Sequence, residues 1–214
     1  MTGATVMRIR MLLERVLLGL CVCLVIGSAF GESALRTLTS ADGVFRFKYS
    51  PALVVCQREA PKGAGELGEW ACGPCNDIDS DWSTTACVVF PDERYKDKPA
   101  FSYGGFLVEE PKKEIAEKAC LEAREGEQKQ AQDKLIRGVT FKVFQADNAS
   151  MSHSDEWTIY RTYHRNKCYA LTIRTGWTKT DTFDPGSFKK FTEKDAREVE
   201  RRLSEPVETF EFLK

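Results

Sequence analysis

The chain has 214 residues, of which 42% are hydrophobic and 29% are charged, a composition typical of globular domains and unlike that of disordered or collagen-like chains. Its 31 lysines and arginines against 32 acidic residues give a formal net charge of −1, which excludes the basic surface of a duplex nucleic-acid-binding protein. The length indicates a single domain.

The N-terminal segment predicts export. A basic stretch at residues 1–15 precedes an uncharged apolar run at residues 16–27, and small residues follow up to Gly31. These features are typical of a secretory signal peptide, and the apolar run is shorter than the roughly 20 residues of a membrane span. We therefore predict that residues 1–31 are removed, leaving residues 32–214 as a single secreted or periplasmic domain without a membrane span. An uncleaved signal anchor is the alternative.

The first half of the mature chain predicts strands around a long loop. Residues 44–49 alternate between apolar and polar side chains, which predicts a half-buried strand. Residues 57–86 lose this periodicity and gain Gly, Pro, Asp and Asn, which predicts a long cysteine-bearing surface loop. Further strands are predicted at residues 53–56, 86–90 and 100–109.

The second half predicts two helices and a meander. A helix is predicted from Pro111 to about Lys134, because small or apolar residues recur every four positions. A second helix is predicted to begin after Thr192, with Asp195 completing a capping box, and to end at Pro206. Strands are predicted at residues 139–146, 157–164, 168–175 and 207–213, the first three as an antiparallel meander.

This order of elements predicts an α+β fold, an antiparallel sheet flanked by two main helices. The segment from Gly43 to Pro51 resembles the "F-x-F-x-Y-P" start of the PsbP-like (Mog-like) superfamily, and residues 208–212 resemble its closing "SF-x-F" strand. The resemblance, shared with uncharacterised secreted bacterial proteins, implies an α/β/α sandwich. Because this superfamily hosts unrelated roles, mostly binding, it implies no catalytic residue.

Six of the eight cysteines follow the predicted leader: Cys56, Cys72, Cys75, Cys87, Cys120 and Cys168. An even number of cysteines in an exported chain predicts three disulfides. If strands 53–56 and 86–90 are antiparallel neighbours, Cys56 lies opposite Cys87 at the base of the loop. The four remaining cysteines would then pair as Cys72 with Cys75 and Cys120 with Cys168. Other pairings of the same six cysteines remain open.

The tetrapeptide Cys72-Gly73-Pro74-Cys75 has the letters of the thioredoxin active site. A thiol–disulfide oxidoreductase is therefore the alternative function, with Cys72 as attacking thiolate and Cys75 as resolving thiol. That chemistry needs a helix N-terminus to lower the pKa of the first thiol. The flanking residues predict a loop on both sides, and the nearby aspartates raise a thiol pKa. A structural disulfide role is the preferred interpretation.

Asp77, Asp79 and Asp81 have the D-x-D-x-D spacing that begins a calcium loop. The glycine and glutamate that an EF-hand needs later are replaced by Trp82 and Val88, so the alternatives are an irregular calcium site and a solvated acidic loop. We predict no metal and no cofactor, because the two histidines have no second ligand at metal-binding spacing.

Basic and aromatic side chains are interleaved between Tyr160 and Arg174. On one sheet face, Tyr160, Arg161 and Arg174 would form an anion- or glycan-binding surface. The alternative is that the tyrosines pack beneath a helix while the basic side chains are solvated or paired with acids.

Together these features predict an exported, non-enzymatic binding or accessory module, with a protein or small ligand at the cell envelope or outside the cell as its partner. Loop 57–86 is the predicted working surface, because long ordered loops on a scaffold often carry function.

Overall fold

The computed structural model describes residues 34–57, 72–76, 81–91, 97–98, 100–130, 132–150, 153–178 and 189–213. The predicted leader, residues 1–31, lies outside the described residues, and so does most of the predicted loop 57–86.

The elements follow one another in the order strands, one short helix, a meander and one long helix. The strands are β1 (Arg36–Thr39), β2 (Phe45–Tyr49), β3 (Val54–Val55), β4 (Trp82–Val89), β5 (Phe101–Pro111), β6 (Gln128–Lys129), β7 (Lys134–Ile136), β8 (Val139–Ser150), β9 (His153–His164), β10 (Lys167–Thr178) and β11 (Glu211–Phe212). The helices are α1 (Glu117–Leu121) and α2 (Glu193–Thr209), and residues Gly73–Cys75 form a 3₁₀ turn.

The main sheet has eight strands in the order β3-β4-β5-β10-β9-β8-β6, with β7 also pairing with β8. Strands β8, β9 and β10 form the predicted antiparallel meander. A smaller sheet has the order β1-β2-β11. All pairings among these described strands are antiparallel, so the α+β prediction with an antiparallel sheet is confirmed.

One face of the main sheet, the inner face, carries the largest hydrophobic core. Alternation places Leu171 on this face, where it packs with Phe106 of β5. Strand β2 contributes Phe45 and Phe47, both fully buried, and the Phe47 and Phe106 rings lie 5.0 Å apart, edge to face. The small sheet therefore covers the inner face together with α2.

Helix α2 begins at the predicted capping box, in which Thr192 and Asp195 each accept a hydrogen bond from the other residue's backbone N–H. The helix buries Val199, Leu203 and Val207 against the inner face. A Cβ at Gly104 of β5 would lie 3.2 Å from Cδ1 of Leu203, so a glycine there lets the helix approach the sheet closely.

The opposite face of the main sheet, the outer face, carries α1. Cys120 of this helix packs with Cys168 and Ala170 of β10 and with Trp82 of β4. Because α1 and α2 lie on opposite faces, the two-helix sandwich is confirmed, with α1 much shorter than expected.

The predicted helix from Pro111 to Lys134 was wrong in extent. Pro111 ends strand β5, and only Glu117–Leu121 are helical. The apolar stripe of the predicted helix consisted largely of alanines. Burying so small a side chain stabilises a helix little, and Ala119 and Ala123 are exposed. Gly126 then adopts a positive φ of 81°, which turns the chain out of any helix.

Two other boundaries differ from the prediction. The end of the predicted loop, from Trp82 onward, belongs to β4. Helix α2 continues through Pro206 to Thr209, because burial of Val207 and Phe210 outweighs the one backbone hydrogen bond that a proline removes.

Candidate ligand-binding groove

Three disulfides lie on the outer face. The structure pairs Cys56 with Cys72, Cys75 with Cys87 and Cys120 with Cys168. The predicted pairs Cys56–Cys87 and Cys72–Cys75 are therefore wrong, whereas Cys120 has the partner expected from the sequence.

The reason lies in the position of the 3₁₀ turn. Cys56 does lie opposite Cys87, since its backbone N–H donates to the Cys87 carbonyl at 3.0 Å. The turn, however, packs directly on the sheet, where a Cβ at Gly105 would lie 3.3 Å from Cβ of Pro74. Each strand cysteine therefore finds a turn cysteine within bonding distance.

These bridges cover the two ends of the outer face and leave a groove between them. At one end lie the 3₁₀ turn and its two bridges, packed on Val89 and Leu107. At the other end lies α1 with the Cys120–Cys168 bridge. The groove has a volume of about 190 Å³ and is lined by Trp82, Glu109, Arg124, Glu125, Glu127, Ala146, Trp157, Ile159, Ala170 and Thr172. We call it the outer-face groove.

The floor of the outer-face groove comes from the alternation of two central strands. Ile159 of β9 and Thr172 of β10 are register partners, and Ala170 is the next residue on the same face. The Thr172 hydroxyl donates to Oε2 of Glu109 at 2.5 Å, which fixes that carboxylate at the edge of the floor. The floor is therefore mainly apolar, with one oriented carboxylate beside it.

A buried ion pair supports the wall. The side chain of Arg161 is 0% exposed and pairs through Nη2 with Oε2 of Glu127. The same oxygen accepts the backbone N–H of Arg124 at 2.9 Å, and the Arg161 guanidinium rests on the Phe144 ring at 4.0 Å. Burial lowers the pKa of Arg161, and the Glu127 carboxylate opposes that change. The pair holds Glu127 in one orientation at the groove.

Two tryptophans flank the floor. The Arg124 guanidinium stacks over the Trp82 ring at 4.0 Å and covers it. Trp157 is half-buried, and its indole Nε1 has no hydrogen-bond partner within the described chain. Arg174 lies 5.8 Å above the Trp157 ring and donates to the Pro74 carbonyl at 3.4 Å, so it connects the groove to the 3₁₀ turn.

The three binding residues predicted from the sequence do not share one surface. Tyr160 packs against the core on the inner face, as the alternative expected. Arg161 and Arg174 lie on the outer face, but Arg161 is buried and already paired with Glu127. Arg174 borders the groove through Trp157.

Sequence reasoning missed most of the lining of the groove. The signal was present in the alternation itself, since Trp157, Ile159 and Arg161 share one face of β9. The segment that supplies Arg124 and Glu127 was expected to be helical and was therefore not placed at the sheet.

The alternative redox pair does not have the arrangement that it needs. Cys72 and Cys75 belong to two different bridges, and the 3₁₀ turn has only three residues, so no helix N-terminus lies beneath Cys72. The Sγ atoms of Cys56, Cys72 and Cys75 lie within 4.8 Å of one another, but bridged sulfurs are not the thiolates that a metal requires.

The calcium prediction stays untested. Asp77 and Asp79 lie outside the described residues, and Asp81 is an exposed residue immediately before β4 whose carbonyl accepts the Lys112 N–H at 2.8 Å.

No protein-family model and no curated protein matches the chain. The solved structures similar to it include LpqN and Mog1p. LpqN of Mycobacterium tuberculosis, described as involved in cell envelope biogenesis, has 6% identity and a TM-score of 0.36 over 85% of this chain and 91% of that one. The Ran-binding protein Mog1p of Saccharomyces cerevisiae has 9% identity and a TM-score of 0.39 over 83% of this chain and 95% of that one.

The second structure bears the name of the superfamily that the two sequence motifs resemble. Among the described residues, no helix has both the length and the hydropathy to span a bilayer.

Proposed function

We propose that the chain is an exported, non-enzymatic binding module that binds a neutral glycan in the outer-face groove. The observation that carries the proposal is the composition of the groove: a half-buried indole and an apolar floor beside carboxylates that are already held in place. Pockets of this kind, mainly apolar with a few oriented polar groups, are the usual form of a small-ligand site.

The charges favour a neutral ligand over an anion. The lining has three carboxylates, Glu109, Glu125 and Glu127, against the single guanidinium of Arg124. The second guanidinium, that of Arg161, is buried and compensated by Glu127. An anionic ligand would therefore meet like charges, whereas sugar hydroxyls donate hydrogen bonds to carboxylates.

The aromatic surface of the groove fits the C–H face of a sugar ring. The Trp157 indole offers an apolar plane beside Ile159. The C–H face of a pyranose packs on such a plane, while its hydroxyls reach the polar groups at the edge.

Export accords with the disulfides, because bridges of this kind form and persist in oxidising compartments. We propose that residues 1–31 are the leader and that the remainder works as one domain, secreted or periplasmic. Loop 57–86, predicted as the working surface, contributes through its 3₁₀ turn, which contacts Arg174 beside the groove.

The proposal is tested by titrating the mature protein with uncharged oligosaccharides, chitotetraose and maltohexaose among them, while tryptophan fluorescence is recorded. Trp157→Ala is expected to weaken binding roughly tenfold, equivalent to about 1.4 kcal/mol. Leu135→Ala, at a 70% exposed site on β7, is the matched control and should bind as the parent does. Binding of phosphate or an anionic oligosaccharide in place of the neutral sugars would contradict the proposal.

A further inference from the structure

We propose that Cys56, Cys72, Cys75 and Cys87 form a thiol–disulfide exchange site. A small external thiol would convert the pairing Cys56–Cys72 and Cys75–Cys87 into Cys56–Cys87 and Cys72–Cys75. The observation that carries this proposal is the packing of two bridges into one cluster, in which the Sγ atoms of Cys56, Cys72 and Cys75 lie within 4.8 Å of one another.

The backbone accommodates the second pairing. Cys56 and Cys87 already face each other across β3 and β4, with the Cys56 N–H bonded to the Cys87 carbonyl at 3.0 Å. Cys72 and Cys75 are already joined by a 3₁₀ turn, in which the Cys75 N–H bonds to the Cys72 carbonyl at 3.0 Å. Neither new bridge requires a strand to move along its partner.

Access to the cluster is unequal, which sets where a thiol attacks. Cys56, Cys75 and Cys87 are at most 4% exposed, whereas Cys72 is only partly buried. Exchange requires a thiolate to approach a disulfide sulfur, so Cys72 is the point of entry.

The exchange balances without an added oxidant or reductant. The external thiolate bonds to Cys72 Sγ, and the Cys56–Cys72 bond breaks to leave the Cys56 thiolate. The Cys56 thiolate bonds to Cys87 Sγ, and the Cys75–Cys87 bond breaks to leave the Cys75 thiolate. The Cys75 thiolate bonds to Cys72 Sγ and expels the external thiolate, which is regenerated.

The second pairing changes what holds the 3₁₀ turn. In the structure, Cys72 and Cys75 tie the turn to β3 and β4, one bridge to each. After the exchange, no disulfide joins the turn to either strand, and the turn is held at the sheet by contacts such as that between Pro74 and Arg174. Because Arg174 lies over Trp157, the pairing would also alter the outer-face groove, and this last step rests on the proposed function.

The native full-length mature protein is incubated with a mixture of reduced and oxidised glutathione, quenched with acid, and its bridges are mapped by mass spectrometry. The expected result is that both pairings of the four cysteines are recovered while Cys120–Cys168 is unchanged. Recovery of the first pairing alone, or of free thiols without the second pairing, would overturn the proposal.

A variant isolates the central step. In Cys72→Ser, the unpaired Cys56 lies opposite Cys87, so its thiolate should displace Cys75, and iodoacetamide should label mainly Cys75. Label confined to Cys56 would overturn the proposal. Cys120→Ser is the matched control, in which label is expected only on Cys168. Neither measurement uses a sugar, so failure of the exchange leaves the glycan proposal standing, and the reverse also holds.

Discussion

At the residue scale, Arg161 is a charged residue at a buried position, because its guanidinium is fully buried between β8 and β10. Its guanidinium forms an ion pair with Glu127, and its Nε and Nη1 have no hydrogen-bond partner within the described chain. A buried pair of this kind stabilises little compared with apolar side chains, yet the loss of one partner leaves the other charge uncompensated.

We therefore expect Arg161→Met to lower the free energy of unfolding by about 3–5 kcal/mol, because Glu127 would remain largely buried without its partner. The double variant Arg161→Met, Glu127→Leu should recover most of that loss. Urea denaturation of both variants and the parent provides the measurement. Equal losses in the single and double variants would show that packing rather than charge holds this site together.

The hydrogen bonds of Asp195 make the stability of the start of helix α2 sensitive to acid. Hydrogen bonds from Lys98, at 2.6 Å, and from Thr192 lower the pKa of Asp195 to about 2, from an ordinary 3.8. A carboxyl with a lowered folded pKa stabilises the fold above its unfolded pKa, and this contribution is lost as the pH falls from about 4 to about 2.

Asp195→Asn should therefore be less stable than the parent by about 1 kcal/mol at pH 7, and the difference should vanish near pH 2. Thermal melts of the two proteins across this range test the prediction. Glu193→Gln is the control from the same helical turn, since the Glu193 side chain is 85% exposed and its pair with Arg197 lies at the surface. A pH-independent difference for Asp195→Asn would count against the ion pair.

At the scale of elements, α2 is held by its apolar stripe against the inner face. Leu203 is fully buried among aromatic and aliphatic side chains, so Leu203→Ala should lower the free energy of unfolding by about 2–5 kcal/mol. Leu135→Ala, the exposed control, should change it by less than about 0.5 kcal/mol. Comparable losses in both variants, measured by denaturant unfolding, would mean that α2 is not docked as described.

The same elements show what a sequence can predict. Alternation identified β2 and the meander because each strand has one face in a core, which leaves a period of two in the chain. The capping box located the start of α2 because its hydrogen bonds are local. Signals that are local or strictly periodic were sufficient for these elements.

The failures share a different cause. The extent of α1 depends on Cys120 reaching Cys168, and the pairing of Cys72 and Cys75 depends on the turn lying on Gly105. Both are contacts between distant segments, which a period in the sequence does not record. The outer-face groove was missed for the same reason, since its wall comes from the segment after α1 and its floor from the meander.

At the scale of the whole molecule, the two faces of the main sheet are stabilised differently. The large inner-face core, which joins β2, β5, β10 and α2, contains no cysteine among its described members. All six cysteines of the described chain belong to the two outer-face clusters. The inner face therefore supplies the fold, and the bridges fix the segments that border the groove.

Removal of one bridge should separate these roles. Helix α1 has five residues, fewer than the roughly 12 that a marginally stable isolated helix needs, so its position depends on Cys120–Cys168. This bridge closes a span of 48 residues, for which the chain-entropy model gives about 4 kcal/mol.

The double variant Cys120→Ala, Cys168→Ala should lose about that much stability and still unfold cooperatively. Hydrogen exchange should show lost protection at residues 117–121 and retained protection in α2, and weaker sugar binding should follow because Arg124 and Glu127 adjoin α1. If α2 lost protection together with α1, the bridge would stabilise the entire fold. The inner-face core and the outer-face bridges would then not have separate roles.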